Sequence, residues 1–149
     1  MTDEFGVDRT RVVRLRRHLA ADPQAVFDAW TVPRVMSRWL FVGPTSRITE
    51  ISADLRVGGG YSIVERPDGF EDVDHFGEYR ELDAPHRLAF TLETPAHFPE
   101  RTHILIEIAA AEGGGGSEMT FTQHGVAPEV VQGSWERMFD SLEQALANP

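Results

Sequence analysis

The apolar and polar residues of this chain alternate with the two-residue period of β-strands over most of its length. Six to seven strands are predicted in this way, at residues 11–19, 47–55, 61–65, 73–82, 88–93, 103–108 and 118–123. Short connections such as Pro67-Asp68-Gly69, which combine a proline with an Asp-Gly pair, favour antiparallel neighbours. Each strand has one apolar and one polar face, which is typical of an antiparallel sheet covered on a single face.

Two short helices are predicted between the first and second strands. Asp22 followed by Pro23 has the pattern of an N-cap residue and a first helical position, and this helix extends through Trp30. Pro33 ends it, and residues 34–40 form a second short helical piece. The chain therefore passes from its first to its second strand through a helical crossover rather than a hairpin.

A single long helix is predicted at residues 128–146, after the last strand. Its apolar positions repeat at helical spacing and form one stripe, at Val131, Trp135, Met138, Phe139, Leu142 and Leu146. Because this helix comes last, it has to pack on a sheet that is already formed, and we expect it to cover the apolar face. The predicted fold class is therefore α+β.

Composition limits what the chain can be. Its 149 residues are most simply one domain, with residues 1–10 as a flexible N-terminus. Those residues lack the apolar core of a secretory signal, and no later apolar run is long enough to span a bilayer, so we expect a cytoplasmic protein. The absence of cysteine excludes disulfides, thiolate metal sites and cysteine nucleophiles.

Charge excludes further classes of function. A formal net charge of −10 repels phosphate groups, so neither nucleic acid nor an anionic membrane is an expected partner. All 14 basic residues are arginines, which excludes the lysine of a phosphate-binding loop and lysine general bases.

In the first predicted strand, Arg17 is out of phase with Arg14 and Arg16. Arg17 has the same parity as the apolar residues Val13 and Leu15. Either the strand bends there, or the guanidinium points toward the interior and needs a partner.

Several short sequence motifs resemble those of one known family. They are Pro23-Gln24-Ala25-Val26-Phe27, Arg38-Trp39, Gly43-Pro44, Asp54-Leu55-Arg56-Val57-Gly58-Gly59, Gly77 with Tyr79, and Trp135-Glu136. With the element order, they are similar to the family named for the C-terminal domain of the heat shock protein 90 ATPase activator, in the START-like superfamily, also called SRPBCC or Bet v-like. The resemblance implies a helix-grip fold, in which a curved antiparallel sheet of six to seven strands surrounds a long C-terminal helix. It also implies a single START-like domain over residues 1–149.

The same resemblance implies a cavity between the sheet and the terminal helix, which would bind a small hydrophobic or aromatic ligand. The residues expected to line it are Trp39, Tyr61, Phe76, Phe90, His97, Ile104, Ile106, Met119, Phe121, Trp135, Met138 and Phe139. Tyr61, His97 or the indole of Trp135 would orient the ligand. Such stripes are more often simple core packing, and the alternation pattern does not distinguish a filled core from a hollow one.

Two other functions stay open at the level of sequence. The family name suggests a chaperone-regulating interaction protein with a chaperone partner, and relatives in the superfamily suggest a cyclase-like enzyme acting on polyketide or aromatic substrates. No residue is predicted to be catalytic, no cofactor is expected, and a monomer and a homodimer are equally compatible with the sequence. The six histidines do not have the spacing of a metal-binding motif, so no metal site is predicted.

Overall fold

The computed structural model describes residues 2–148, and within them seven strands form one antiparallel sheet. The strands are β1 (Val12–Leu19), β2 (Ser46–Ala53), β3 (Gly60–Pro67), β4 (Val73–Asp83), β5 (Arg87–Leu92), β6 (Thr102–Ala110) and β7 (Ser117–His124). Their order across the sheet is β1-β7-β6-β5-β4-β3-β2. The helices are α1 (Pro23–Thr31), α2 (Pro33–Met36) and α3 (Pro128–Ala147). This arrangement confirms the predicted helix-grip fold.

The crossover through α1 and α2 places β1 and β2 at opposite edges of the sheet. The Asp22 carboxylate accepts a hydrogen bond from the Ala25 amide at 2.8 Å, so it caps the helix that Pro23 begins. The second helix is shorter than predicted. It ends at Met36, and turns lead to Phe41, whose left-handed backbone (φ 60°) is incompatible with a continued α-helix.

Helix α3 packs its apolar stripe against the sheet, as its spacing predicts. Val131, Trp135, Phe139 and Leu142 are buried along it, and Met138 is half-buried. Burial of each large apolar side chain contributes about 1.5–3 kcal/mol. No helix within residues 2–148 is both long enough and apolar enough to cross a membrane.

The centre of the molecule is a solid aromatic cluster around Trp30. The ring centroid of Trp30 lies 4.7 Å from that of Trp39 and 6.1–6.4 Å from those of Trp135, Phe139 and Phe121. The Trp30 indole N–H donates to the sulfur of Met119 at 3.3 Å. Packing of this density leaves no room for a ligand beneath the middle of α3.

Arg17 does have partners on the covered side of the sheet. Its guanidinium donates to the Asp140 carboxylate at 2.8 Å and lies 3.4 Å from that of Glu143, both on α3. It also lies 5.8 Å from the centroid of the Phe139 ring. The inward-pointing alternative of the sequence analysis is therefore confirmed, and the arginine links β1 to α3.

The close approach of β4 and β5 depends on a glycine. A Cβ atom at Gly77 would overlap the carbonyl oxygen of Thr91 on the neighbouring strand. A register shift follows in the same strand pair, between Tyr79 and Glu81. Such irregularities increase the local bend of a strand, and they contribute here to the curvature of the sheet.

We expect Gly77→Ala to lower the free energy of unfolding by about 1–3 kcal/mol, because the methyl group can be accommodated only if the two backbones separate. Gly60→Ala is the matched control, since its Cβ would lie at an ordinary 3.6 Å from the Gly77 carbonyl oxygen. The measurement is urea unfolding of both variants. Equal stabilities of the two variants would contradict this explanation of the curvature.

Candidate functional site

A pocket of about 670 Å³ lies beside the N-terminal half of α3. It is bounded by the chain after α2, the β3–β4 hairpin, and the loop after β5. Its lining residues are Arg38, Phe41, Val42, Gly43, Pro44, Glu65, His75, Leu92, Thr94, His97, Phe98, Gln123, Val130, Val131, Ser134, Trp135, Arg137, Met138 and Ser141. The pocket is therefore built by segments that are far apart in the sequence.

Most of the pocket's buried wall is apolar. Phe41, Leu92, Phe98, Val131 and Trp135 are each at most 8% exposed. The thioether of Met138 lies on the same wall and accepts a hydrogen bond from the Phe41 amide at 3.1 Å. A wall of this composition favours a flat or branched apolar group over a polar one.

Three buried hydrogen bonds hold Trp135 in place. Its indole N–H donates to the side-chain oxygen of Gln123 at 2.9 Å, and the Gln123 amide donates to the Thr102 hydroxyl at 3.0 Å. That hydroxyl in turn donates to the Leu92 carbonyl at 2.8 Å. Because every polar group in this series has a partner, burial costs little, and the indole ring has one fixed orientation.

One corner of the pocket is polar, and it consists of Glu65, His75 and His97. The Nε2 atom of His75 lies 3.1 Å from a Glu65 carboxylate oxygen, and its Nδ1 atom lies 3.1 Å from the Thr94 hydroxyl. His75 is only 4% exposed, whereas His97 lies on the exposed loop after β5. We call these three residues the Glu–His–His cluster.

Burial and hydrogen bonding determine the charge states of His75 and Glu65. It lowers the pKa of His75 against the opposing effect of the Glu65 carboxylate, so the imidazole is neutral near pH 7. Burial alone would raise the pKa of Glu65, but hydrogen bonds from His75 and Ser46, together with the proximity of the His75 and His97 imidazoles, hold that pKa below its usual value. A neutral imidazole that donates from Nε2 to an ionised carboxylate, and accepts from the Thr94 hydroxyl at Nδ1, satisfies all three groups.

Phe41 covers the buried histidine. Its ring stacks on the His75 imidazole with centroids 4.1 Å apart and planes 3° from parallel. The backbone of Phe41 is left-handed, a conformation that costs a bulky residue about 1–3 kcal/mol. Packing against His75 and Trp135 compensates for this strain.

The residues predicted to line a cavity separate into four groups. His97, Trp135 and Met138 line the pocket. Tyr61 and Phe90 line a separate void of only about 10 Å³. Phe76 is half-buried and lies on the face of β4 opposite His75. The remaining residues belong to the packed core, namely Trp39, Ile104, Ile106, Met119, Phe121 and Phe139.

Two of the groups that were expected to orient a ligand are already hydrogen-bonded within the protein. The Tyr61 hydroxyl donates to the Thr91 carbonyl at 2.7 Å, and the Trp135 indole N–H donates to Gln123. Of the three, only His97 combines a place in the pocket wall with an exposed side chain.

Sequence reasoning did not find Phe41, Glu65, His75 or Gln123. One signal was available for His75, because it has the same parity in β4 as Val73, and both residues are buried. Hydrophobicity directed attention to its neighbour Phe76 instead. Glu65 carries the same signal, since it shares the parity of Tyr61 and Ile63 in β3. Gln123 likewise shares the parity of Met119 and Phe121 in β7. Only Phe41, which lies in a turn, carries no such signal.

Comparison with known proteins connects this geometry to a family. A family model described as "Activator of Hsp90 ATPase homolog 1-like protein" matches residues 20–147. No curated protein matches the chain significantly.

Solved structures show the same fold at low sequence identity. Protein CV1439 from Chromobacterium violaceum is 23% identical with a TM-score of 0.83, and the match covers 94% of this chain and 99% of that one. An AHSA1-like protein from Aeromonas hydrophila is 22% identical with a TM-score of 0.78, over 91% of this chain and 92% of that one. Protein NE0264 from Nitrosomonas europaea is 21% identical with a TM-score of 0.77, over 95% and 97% of the two chains.

We expect Gln123→Leu to lower the free energy of unfolding by about 1–3 kcal/mol, because the buried indole N–H of Trp135 would lose its acceptor. Gln132→Leu is the matched control, since Gln132 is exposed on α3 and its amide donates a hydrogen bond to the exposed Glu136. Urea unfolding of the two variants measures the difference. A Gln123→Leu variant as stable as the control would show that the indole does not need this bond.

Proposed function

Because the chain belongs to the family of Activator of Hsp90 ATPase homolog 1-like proteins, whose fold fits ligand binding, we propose that it binds a small hydrophobic or aromatic ligand. The observation that carries the proposal is the pocket of about 670 Å³ beside Trp135. Pockets that bind small molecules in proteins have volumes of about 300–1,000 Å³. In this proposal the ligand lies between α3 and the sheet.

The apolar wall accounts for the affinity. An aromatic ligand that buries about 200 Å² of apolar surface gains about 5 kcal/mol, before the cost of its immobilisation. Trp135 lines the pocket and its orientation is fixed by Gln123, so little side-chain entropy is lost when a ligand packs against it. Preorganisation of this kind favours planar ligands over flexible chains.

The rim of the pocket favours a negatively charged end on the ligand. Arg38 and Arg137 both line the pocket and are exposed. Their hydrogen-bond partners within residues 2–148 are neutral oxygens, those of the Asn148 carbonyl and the Ser134 hydroxyl. Both guanidinium groups thus retain positive charge available to a carboxylate or sulfonate.

An anionic aromatic dye, 1-anilinonaphthalene-8-sulfonate, tests this proposal. We expect one dye molecule to bind per folded chain, with an increase in its fluorescence. Ser134→Trp should weaken binding at least tenfold, because the indole would occupy the pocket beside Trp135. Gln144→Trp, on the same helix but outside the pocket, should bind like the wild type. Equal weakening by both substitutions, or no dye binding by the folded protein, would contradict the proposal.

The alternative function, a chaperone-regulating interaction, lacks a comparable observation. The most exposed large apolar side chains within residues 2–148 are Phe70 (78%) and Val57 (62%). They lie beyond opposite ends of β3 and so do not combine into one apolar patch. Isolated exposed apolar residues are ordinary on protein surfaces. Ligand binding is therefore the better supported of the two.

A cyclase-like enzyme is a second candidate, and one observation favours it. The Glu65 carboxylate lines the pocket and is held in place by a hydrogen bond from the neutral His75 imidazole, so this carboxylate could remove a proton from a bound ligand. Organic extracts of wild-type protein and of Glu65→Gln, each produced in the source cells, can be compared by mass spectrometry. An enzyme predicts product with the wild type and accumulated substrate with the variant. The same compound in both extracts would exclude this candidate in favour of a carrier.

A further inference from the structure

The Glu–His–His cluster has a geometry that ligand binding alone does not require. One potential metal-ligand atom from each of Glu65, His75 and His97 lies within 4.8 Å of the other two. The three residues come from β3, β4 and the loop after β5, so the fold brings them together. Within residues 2–148 this is the one group of three or more such side chains found at this spacing.

The distances fit a metal ion with little rearrangement. Two ligands that each lie about 2.0–2.1 Å from a tetrahedral zinc ion are about 3.3 Å from each other. The Nε2 atom of His75 and the Glu65 carboxylate oxygen are 3.1 Å apart. An ion between them would take the place of the proton on Nε2, and the neutral ring would then carry its proton on Nδ1. The ligand atom of the exposed His97 lies within 4.8 Å of the other two, so in the metal-bound state it would lie closer to them than it does here.

The surroundings of His75 are those of a metal ligand. When Nε2 of a histidine binds a metal, its Nδ1–H needs an acceptor that fixes the orientation of the ring. The Thr94 hydroxyl lies 3.1 Å from this Nδ1 atom and can accept that hydrogen bond. Phe41 stacks on the ring and holds its plane. The imidazole is thus oriented both by hydrogen bonding and by packing.

We propose that Glu65, His75 and His97 bind one divalent transition-metal ion, for which zinc is the best fit, with an open coordination position that faces the pocket. Two imidazoles and a carboxylate form a donor set that suits zinc, and three protein ligands leave a fourth position for water or an oxygen atom of a ligand. The acidic net charge of −10 also favours cation binding. This inference goes beyond the proposed function and holds whether or not an organic ligand binds.

A second histidine–glutamate pair provides an internal control. His18 and Glu118 lie 2.8 Å apart on the exposed face of the sheet, and their side chains are 53% and 45% exposed. They are not part of a group of three potential ligands. A surface pair of this kind binds zinc weakly at best, so it separates specific binding at the cluster from general affinity for histidine and carboxylate.

The test is calorimetric titration of the chelator-treated protein with Zn²⁺ alone. We expect one ion per chain, and His97→Gln should weaken binding by about 100-fold or more, since even the loss of an outer partner costs about 10- to 100-fold. His97 is exposed, so this variant should fold normally. His18→Gln should bind like the wild type. Equal affinities of the two variants, or no Zn²⁺ binding by the folded wild type, would overturn the proposal.

Cobalt gives a spectroscopic readout of the same site. Co²⁺ bound by two imidazoles and a carboxylate should produce a visible absorption band that Glu65→Gln diminishes and His18→Gln leaves unchanged. Dye binding measured with the same variants keeps the two proposals apart. A His97→Gln protein that loses Zn²⁺ binding but still binds the dye would support both proposals, whereas dye binding by a wild type that does not bind Zn²⁺ would reject only the metal site.

Discussion

The indole N–H of Trp135 is buried, and its need for a hydrogen-bond acceptor constrains the rest of the structure. Gln123 on β7 meets this need, and it is itself held by Thr102 on β6. These bonds fix the position of α3 over the sheet. With the helix held there, its apolar stripe packs on the aromatic cluster around Trp30. An unsatisfied polar group at this depth would cost about 1–3 kcal/mol, a large part of the stability of a small domain.

The position of α3 divides the covered face of the sheet into two regions. Beneath the middle of the helix, Trp30, Phe121 and Phe139 fill the core. The pocket lies beside the N-terminal half of the helix. It is enclosed by the turn at Phe41, the β3–β4 hairpin and the loop after β5. The indole ring of Trp135 contacts the packed core, and the same residue lines the pocket. A ligand can therefore be bound without disturbing the core that stabilises the fold.

The strands and helices were predictable from sequence because their signals are local, whereas the helix-grip arrangement was implied by the resemblance to a known family. The two-residue period of the strands, the Asp22-Pro23 helix start and the stripe of α3 each lie within a few consecutive residues. The site was less predictable, because its residues are brought together by the order of strands in the sheet. His75 and Glu65 meet only because β3 pairs with β4. Phe76 was predicted to line the cavity because it is more hydrophobic than His75. Burial on the covered face depends instead on parity along the strand, and His75 has the parity of the buried residues. Histidine spacing likewise did not indicate the Glu–His–His cluster, since its members occupy three different segments.

The central claim is that the pocket beside Trp135 is a ligand site separate from the core. Its most direct test is a ¹H–¹⁵N nuclear magnetic resonance titration that follows the indole N–H signals. The chain has three tryptophans, and their N–H groups donate to Met119, to the Ala29 carbonyl and to Gln123. Trp135 lines the pocket, whereas Trp30 and Trp39 do not. On addition of 1-anilinonaphthalene-8-sulfonate, the account predicts a saturable shift of the Trp135 signal, with the Trp30 and Trp39 signals nearly unchanged. Equal shifts of all three signals, or saturation of binding without a shift of the Trp135 signal, would contradict it.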